Sequence, residues 1–358
     1  MAEVTGSRSV LFIAEFDDAY HAHSAQRRRA LERLGTKVTT FDLNAKASLL
    51  QRFRAGDLGR RLERCLDEVQ PELVIVSGND AIDEEMVDRL RSRARARWIN
   101  WMPQDLRNVS EAIVLARAFD HIYAIGTDVA AEIADRLGRT VDVLAFAADP
   151  SVYRPIKTRD QYRANVVFAG SATPRRERLL SELVEFGLAV WGPGWRKTSL
   201  RDYCRGEAPS TDAYLKAYAG ASVAVNIHHV LVENDPREAS CNERLFELAA
   251  IGAAQVVDDR GDLPRYFEAE REVIVFRDSA DLRARVRQLI ESPADAERLG
   301  QSARARLLQD HTYMHRMRQL LDDPERRIAM ADRGRAHALA HHTYDQRMEL
   351  MLHGQEYP

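Results

Sequence analysis

The chain has 358 residues, of which 45% are hydrophobic and 30% charged. That is the composition of a globular protein long enough for two domains of about 100–200 residues each. Fifty-two Lys and Arg against 55 Asp and Glu leave a net charge of −3, which gives no general pull toward nucleic acid or anionic membrane. Eighteen Gly, 12 Pro and 3 Cys exclude collagen-like, disordered and disulfide-stapled classes. Cys65, Cys204 and Cys241 lie far apart, form no metal-ligand spacing and suit a reducing compartment. No stretch reaches the roughly 20 apolar residues of a membrane span, and the first apolar run, 10–14, is too short for a signal peptide. The expectation is a cytoplasmic protein with no transmembrane segment and no nucleic-acid partner.

Short apolar runs at 10–14, 38–41, 73–76, 98–101, 121–125 and 141–146 read as strands. Amphipathic stretches at 24–34, 58–69, 83–95, 110–118 and 127–137 lie between them, the first and last followed by the helix-stop residues Gly35 and Gly138. Such alternation predicts a mostly parallel sheet with helices on both faces. Asp149-Pro150, Arg154-Pro155 and the polar run 157–163 read as a linker. Alternation restarts with runs at 166–169, 188–191, 223–227, 254–257 and 273–276. The fold class is therefore α/β: two Rossmann-like doubly wound domains facing a cleft, with ligands expected at the carboxyl ends of the strands. The predicted boundaries are 1–155, 156–290 and an all-helical segment 291–358.

That last segment holds a duplication. Pro293…His311-Thr312-Tyr313-x-x-Arg316-Met317 recurs at Pro324…His342-Thr343-Tyr344-x-x-Arg347-Met348, offset by 31. The expectation is a repeated helical hairpin that packs on the second domain and crosses back to the first. Thr312 and Thr343 suit helix N-caps, and the histidines lack a ligand spacing.

Two motifs carry candidate chemistry. The first is Ser240-Cys241-Asn242-Glu243-Arg244-Leu-Phe-Glu247-Leu-Ala-Ala-Ile-Gly252, a polar loop running into a helix. A helix N-terminus in a cleft attracts anions. Arg244 suits a diphosphate, and Glu247, one turn on, suits ribose hydroxyls. The plain alternative is a solvated helix with Glu243 and Glu247 at i,i+4. The second is Phe168-Ala-Gly170-Ser171-Ala-Thr173-Pro-Arg175-Arg176-Glu-Arg178, a strand, a Gly-Ser turn and an arginine-rich helix start. It suits phosphate but is neither a dinucleotide fingerprint nor a Walker loop, and an ordinary turn would look similar. On the acceptor side, His21 and His23 follow the first strand and are candidate general bases. Asp105 is a further candidate base, beside Trp101 as a sugar platform. Asn79-Asp80 follows the third strand. His228 and His229 follow a strand of the second domain, where His228 is a candidate donor contact. As strand neighbours they point to opposite faces, which argues against a shared metal.

Several of these stretches resemble the CgeB-type, spore-maturation-protein-like glycosyltransferases of the glycosyl transferases group 1 class. The resemblance rests on Phe168-x-Gly170-Ser171…Pro174-x-Arg176, Trp191-Gly192-Pro193-Gly194-Trp195, Val225-Asn226-Ile227-His228, Asn242-x-Arg244-x-Phe246-Glu247 and His311-Thr312-Tyr313-x-x-Arg316. Phe146-Ala-Ala-Asp149-Pro150-x-Val-Tyr153-x-Pro155 adds to it. It implies the GT-B fold and glycosyl transfer from a nucleotide-sugar donor with no metal and no cofactor. It also implies donor contacts at Gly170, Ser171, Arg176, Asn242, Arg244 and Glu247. The acceptor, whether glycan, protein, lipid or small molecule, stays open. Related retaining enzymes carry a glutamate eight residues before the ribose-binding one, where this chain has Ala239, next to Glu238. Retention or inversion is therefore open. The alternatives are a non-catalytic binding or assembly protein on the same scaffold and a nucleotide-sugar epimerase.

Overall fold

The computed structural model describes residues 8–16, 23–43, 58–78, 82, 84–103, 110, 113, 116–207, 210–230 and 238–322. Its first sheet holds β1 (Ser9–Ala14), β2 (Lys37–Asp42), β3 (Leu73–Ser77), β4 (Arg97–Met102), β5 (His121–Ala124) and β6 (Asp142–Val143). They lie in the order β2-β1-β3-β4-β5-β6, all parallel. The second sheet holds β7 (Ala164–Ala169), β8 (Leu188–Trp191), β9 (Cys204–Gly206), β10 (Ala221–Asn226), β11 (Gln255–Asp258) and β12 (Ile274–Phe276). Its order is β12-β11-β10-β7-β8-β9, again all parallel. Helices cover both faces of such sheets, so inner strands are apolar without alternation. All five residues of β3 are buried, which is why 73–76 is an unbroken apolar run.

The helices of the first half are α1 (His23–Arg33), α2 (Leu58–Val69), α3 (Glu84–Arg91) and α4 (Thr127–Leu137). Those of the second are α5 (Pro174–Ser181), α6 (Thr211–Ala219), α7 (Glu243–Ile251), α8 (Ser279–Glu291), α9 (Pro293–Asp310) and α10 (Tyr313–Leu321). Connectivity places the site. From β7 the chain winds outward through β8 and β9, then returns to lay β10 on the other side of β7. The crevice at the carboxyl ends of β7 and β10 is thus the topological switch point of the second sheet, where open parallel sheets bind ligands.

Four expectations change. The run 141–146 supplies only the two-residue β6. Leu144 N still donates to Ala124 O of β5 at 2.8 Å, but the carbonyls turn to side chains: Leu144 O accepts from Trp101 Nε1 at 2.9 Å, and Ala145 O from Arg316 Nε at 2.9 Å. The expected helix 83–95 is shorter, Glu84–Arg91, and residues 111, 112, 114 and 115 of the expected helix 110–118 lie outside the described residues. The edge strand β9 has no apolar run to announce it. The linker is packed: Tyr153 is fully buried, and Asp149 accepts from Arg29 Nε at 3.1 Å and Arg33 Nη1 at 3.2 Å on α1.

The two sheets belong to one compact unit, Met1–Arg316. Within it, α9 packs on α7. Gly252 ends α7 in the left-handed conformation, φ 78°, and a Cβ at Gly300 would stand 2.1 Å from Gly252 O. Arg304 Nη1 also donates to Ala250 O at 2.7 Å. The 31-residue duplication cannot be compared, because His342, Thr343, Tyr344 and Arg347 lie outside the described residues.

Gly300→Ala gains about 1 kcal/mol of helix propensity but drives a methyl group into a backbone carbonyl. Overpacking of about 1–3 kcal/mol outweighs that gain, so we expect a lower denaturant midpoint. An unchanged or higher midpoint would mean that α9 stands off α7 in solution.

Candidate active site

A cavity of about 270 Å³ opens at the switch point. From the second half it is lined by Arg176, His228, His229, Asn242, Glu243, Arg244 and Arg260, with the turn Glu238, Ser240 and Cys241; both histidines reach it because they follow the end of β10 and do not alternate as strand neighbours. From the first it is lined by Pro103, Ile125, Asp128 and Phe146.

The start of α7 is fixed by an amide network. Asn242 is its N-cap, its Oδ1 accepting from Leu245 N at 3.1 Å. Asn226, the last residue of β10, exchanges hydrogen bonds with Asn242 at 2.9 and 3.1 Å, and Gln255 Oε1 accepts from Asn226 Nδ2 at 2.9 Å. Asn226 Oδ1 also accepts from Arg244 Nη1 at 3.2 Å. Polar residues at the end of an apolar strand thus tie strand, cap and arginine together. The N-terminus of α7 and Arg244 border the same cavity, and a helix N-terminus and a guanidinium both favour an anion.

Gly170 and Ser171 act one step back. A Cβ at Gly170 would come within 3.0 Å of Arg244 Nη2, so the missing side chain makes room for that arginine. Ser171 O accepts from Arg176 Nη1 at 2.9 Å, while Arg176 Nη2 donates to Ile227 O at 2.9 Å. Arg176 and Arg244 each stand over the Phe168 ring, at 5.2 and 5.3 Å.

His228 sits between the cavity and Asp258. Its Nδ1 is 2.6 Å from Asp258 Oδ1, and Arg175 Nη1 donates to Asp258 Oδ2 at 2.9 Å. Burial by itself would raise the Asp258 carboxyl, but His228 and Arg175 hold it well below the usual carboxylate range. Burial lowers the His228 imidazole below its ordinary value; Asp258 opposes this, while Arg260 and Arg244 reinforce it.

Glu247 is placed elsewhere. It is fully buried and does not line the cavity. Its Oε2 accepts from Tyr214 at 2.6 Å, and its Oε1 lies 3.8 Å from His23 Nε2. On α7, Glu243 lines the cavity and Glu247, one turn later, does not, although the carboxylates of both approach His23 Nε2, at 3.7 and 3.8 Å. His23 does not line the cavity either, and Tyr313 Oη lies 3.2 Å from its Nδ1. Trp101 is no sugar platform: it is buried, with the Arg27 guanidinium 4.1 Å above its ring. His21, Asp105, Asn79 and Asp80 lie outside the described residues.

Sequence reading missed the pair of carboxylates that join the two halves. Asp128 in α4 accepts from Ala239 N at 2.8 Å and Ser240 N at 3.1 Å, and also from the Ser240 hydroxyl. In return Asp262 accepts from Thr127 N and Thr127 Oγ1, both at 2.7 Å. Each half thus satisfies loose N–H groups of the other. Asp128 reads as an ordinary first-turn acid, and its partner, more than a hundred residues away, leaves no local sign. Arg260 was missed too, although it follows β11 at the carboxyl edge where the switch-point rule directs attention.

Residues 175–322 match the family model described as glycosyl transferase-like. They run from α5 to the last described residue and contain Arg176, His228, Arg244 and Arg260. This segment is therefore similar to that family. A sucrose-phosphate synthase from Thermosynechococcus elongatus superposes with a TM-score of 0.62 at 14% identity, over 90% of this chain and 100% of that one. A glycosyltransferase from Rickettsia africae gives 0.62 at 8% identity, over 88% and 97%. Anabaena HepE, in complex with UDP and glucose, gives 0.58 at 13% identity, over 87% and 98%. The fold is that of the GT-B glycosyltransferases. A comparison with curated proteins finds no match. Among the described residues no helix is long and apolar enough to cross a membrane.

His311, whose ring packs edge-on against Phe246 of α7, is a buried titrating group. His311 Nε2 is 2.9 Å from Tyr266 O, and its Nδ1 is 3.2 Å from Arg316 Nη2. Burial, then Arg316, pushes the imidazole down to about 4. Between that value and the unfolded value near 6.5 the unfolded chain binds the extra proton. The contribution is therefore full above pH 6.5 and is lost as the pH falls toward 4, up to about 3 kcal/mol. Denaturant midpoints at pH 7.5 and 4.5 should differ less in His311→Gln than in the parent chain. Equal pH slopes would show that His311 is not the titrating group.

Proposed function

We propose that the chain is a CgeB-type glycosyltransferase that moves a sugar from a nucleotide-sugar donor to an acceptor hydroxyl, on a glycan, protein, lipid or small molecule. The observation that carries this reading is the convergence of Arg176, Arg244, Arg260 and the N-terminus of α7 on one cavity at the switch point of the second sheet, within the segment similar to a glycosyl transferase-like family. When the bond to the donor sugar breaks, negative charge develops on the leaving diphosphate. Fixed cations and backbone N–H groups in a site shielded from water stabilise such charge strongly. In this reading they do so without a divalent ion or other cofactor. Glu243 is the carboxylate of α7 that lines the cavity, and we assign it, in place of Glu247, to the donor's hydroxyls. The neighbour that holds UDP and glucose supports a nucleotide diphosphate donor. The free thiols of Cys65, Cys204 and Cys241 support a reducing, cytoplasmic setting.

Ala239 is the feature that favours the rival reading of a non-catalytic binding protein. Its N–H is held by Asp128, while its neighbour Glu238 lines the cavity, with Oε2 3.9 Å from Arg260 Nη2. A carboxylate therefore reaches the cavity one position from where the sequence lacks one, which supports the transferase.

Calorimetric titration with UDP, GDP, dTDP, CDP and ADP, without and with Mg²⁺, tests the reading. One nucleotide should bind with an affinity indifferent to Mg²⁺. Arg244→Ala removes a charge-assisted hydrogen bond of about 1.5–3 kcal/mol, so binding should weaken roughly 10- to 100-fold. No binding across the panel, or unchanged affinity in Arg244→Ala, would favour the binding-protein reading.

A further inference from the structure

β10 and β11 are parallel neighbours, and their carboxyl ends deliver His228 and Asp258 to the same edge of the cavity. The backbone N–H of His228 donates to both Asp258 carboxylate oxygens, at 3.0 and 3.2 Å, and its ring Nδ1 lies 2.6 Å from Oδ1. An ionised carboxylate only accepts, so Nδ1 carries the proton and the neutral ring offers a lone pair at Nε2. That nitrogen is buried and has no hydrogen-bond partner, yet His228 lines the cavity. A buried acceptor left without a donor is costly, and a hydroxyl bound in the cavity would satisfy it.

The charges around the ring fit one task. Behind it, Asp258 is kept ionised by His228 itself and by Arg175, whose Nη1 donates to its Oδ2 at 2.9 Å. In front, burial and then Arg260 and Arg244 disfavour the imidazolium. Arg176, Glu238, Glu243 and Asp128 are the other charged groups that line the cavity, and His229 lines it as well.

We propose that His228 is the proton acceptor of this cavity, taking the proton from the hydroxyl that attacks the donor sugar, with Asp258 as its positioning residue. The inference rests on the nucleotide-sugar reading above. In the step, the hydroxyl oxygen bonds to the anomeric carbon. The bond from that carbon to the diphosphate oxygen breaks, and its electron pair leaves with the nucleoside diphosphate. The hydroxyl proton passes to His228 Nε2, and Asp258 stabilises the imidazolium until water removes the proton. Charge on the leaving group meets Arg244 and Arg260 at the moment the ring becomes positive.

The experiment uses the full chain and the glucose ester of whichever nucleotide binds in the calorimetric panel, with water and simple sugars as acceptors. Nucleotide affinity is measured beside nucleotide release. His228→Gln and His228→Ala should hold the nucleotide within a few-fold of the parent. Release should slow by about 10²–10⁴-fold, the range of a lost general base, and added imidazole should restore part of the rate in His228→Ala. Asp258→Asn removes the group that raises the imidazole, so the acid limb of the rate profile should move to lower pH. Variants that bind nucleotide and release it at the parental rate, or that slow without imidazole rescue, overturn the proposal and leave the nucleotide reading intact. So does a parent chain that binds nucleotide but releases none from its glucose ester. A parent chain that binds no nucleotide overturns both.

Discussion

Arg316 carries its charge into a place with almost no solvent, and four groups receive it. Its Nε donates to Ala145 O at 2.9 Å and to Phe146 O at 3.2 Å. Its Nη1 donates to Asp310 O at 3.3 Å, and its Nη2 meets His311 Nδ1 at 3.2 Å. A buried charge without such partners costs several kcal/mol, so the chain must return to this spot once it has left the second sheet. The carbonyls belong to the segment that peels away from β6, and they would otherwise be unpaired. One side chain therefore answers two deficits. The parallel bridge between Ala148 and Thr312 extends the same seam.

That seam reaches the site through α7. Arg316 stands 5.7 Å over the Phe246 ring, and Phe246 packs edge-on against His311 and Tyr266. Phe246 is the residue before Glu247 and lies two residues after Arg244 on α7. The exchange of caps between Asp128 and Asp262 holds the other end of the interface, beside Ser240. The cavity lies between these two fastenings. Its shape follows from contacts that join the sheets and not from either sheet alone, which is why Pro103, Ile125 and Phe146 of the first half help to line a cavity whose charges come from the second.

The elements that the sequence disclosed are those whose signal is local. Inner strands of a parallel sheet lie buried on both faces, so β1, β3, β7 and β10 appear as apolar runs. The stops at Gly35 and Gly138 follow from backbone sterics. The candidate site was legible where residues are neighbours in the chain: Asn242 and Arg244 on one helix start, Gly170 and Arg176 around one turn. It was illegible where a side chain's direction decides. Glu243 and Glu247 differ by one turn, yet one lines the cavity and the other is sealed by Tyr214. The run 141–146 looks like a full strand because its residues are apolar, but the carbonyls of Leu144 and Ala145 are claimed by Trp101 and Arg316, which are distant in sequence.

By itself the sequence determined two α/β halves, their order, and the Arg-rich turn and helix start within the stretch that is similar to a glycosyl transferase-like family. Hydrophobic periodicity and turn chemistry act over a few residues and need no partner. Only the tertiary structure decided which carboxylate of α7 lines the cavity, that Asp128 and Asp262 cap across the two halves, and that Asp258 stands behind His228. Each of these depends on strands and helices brought together from far along the chain, and a hydrogen bond exists only where folding sets its two ends about 3 Å apart.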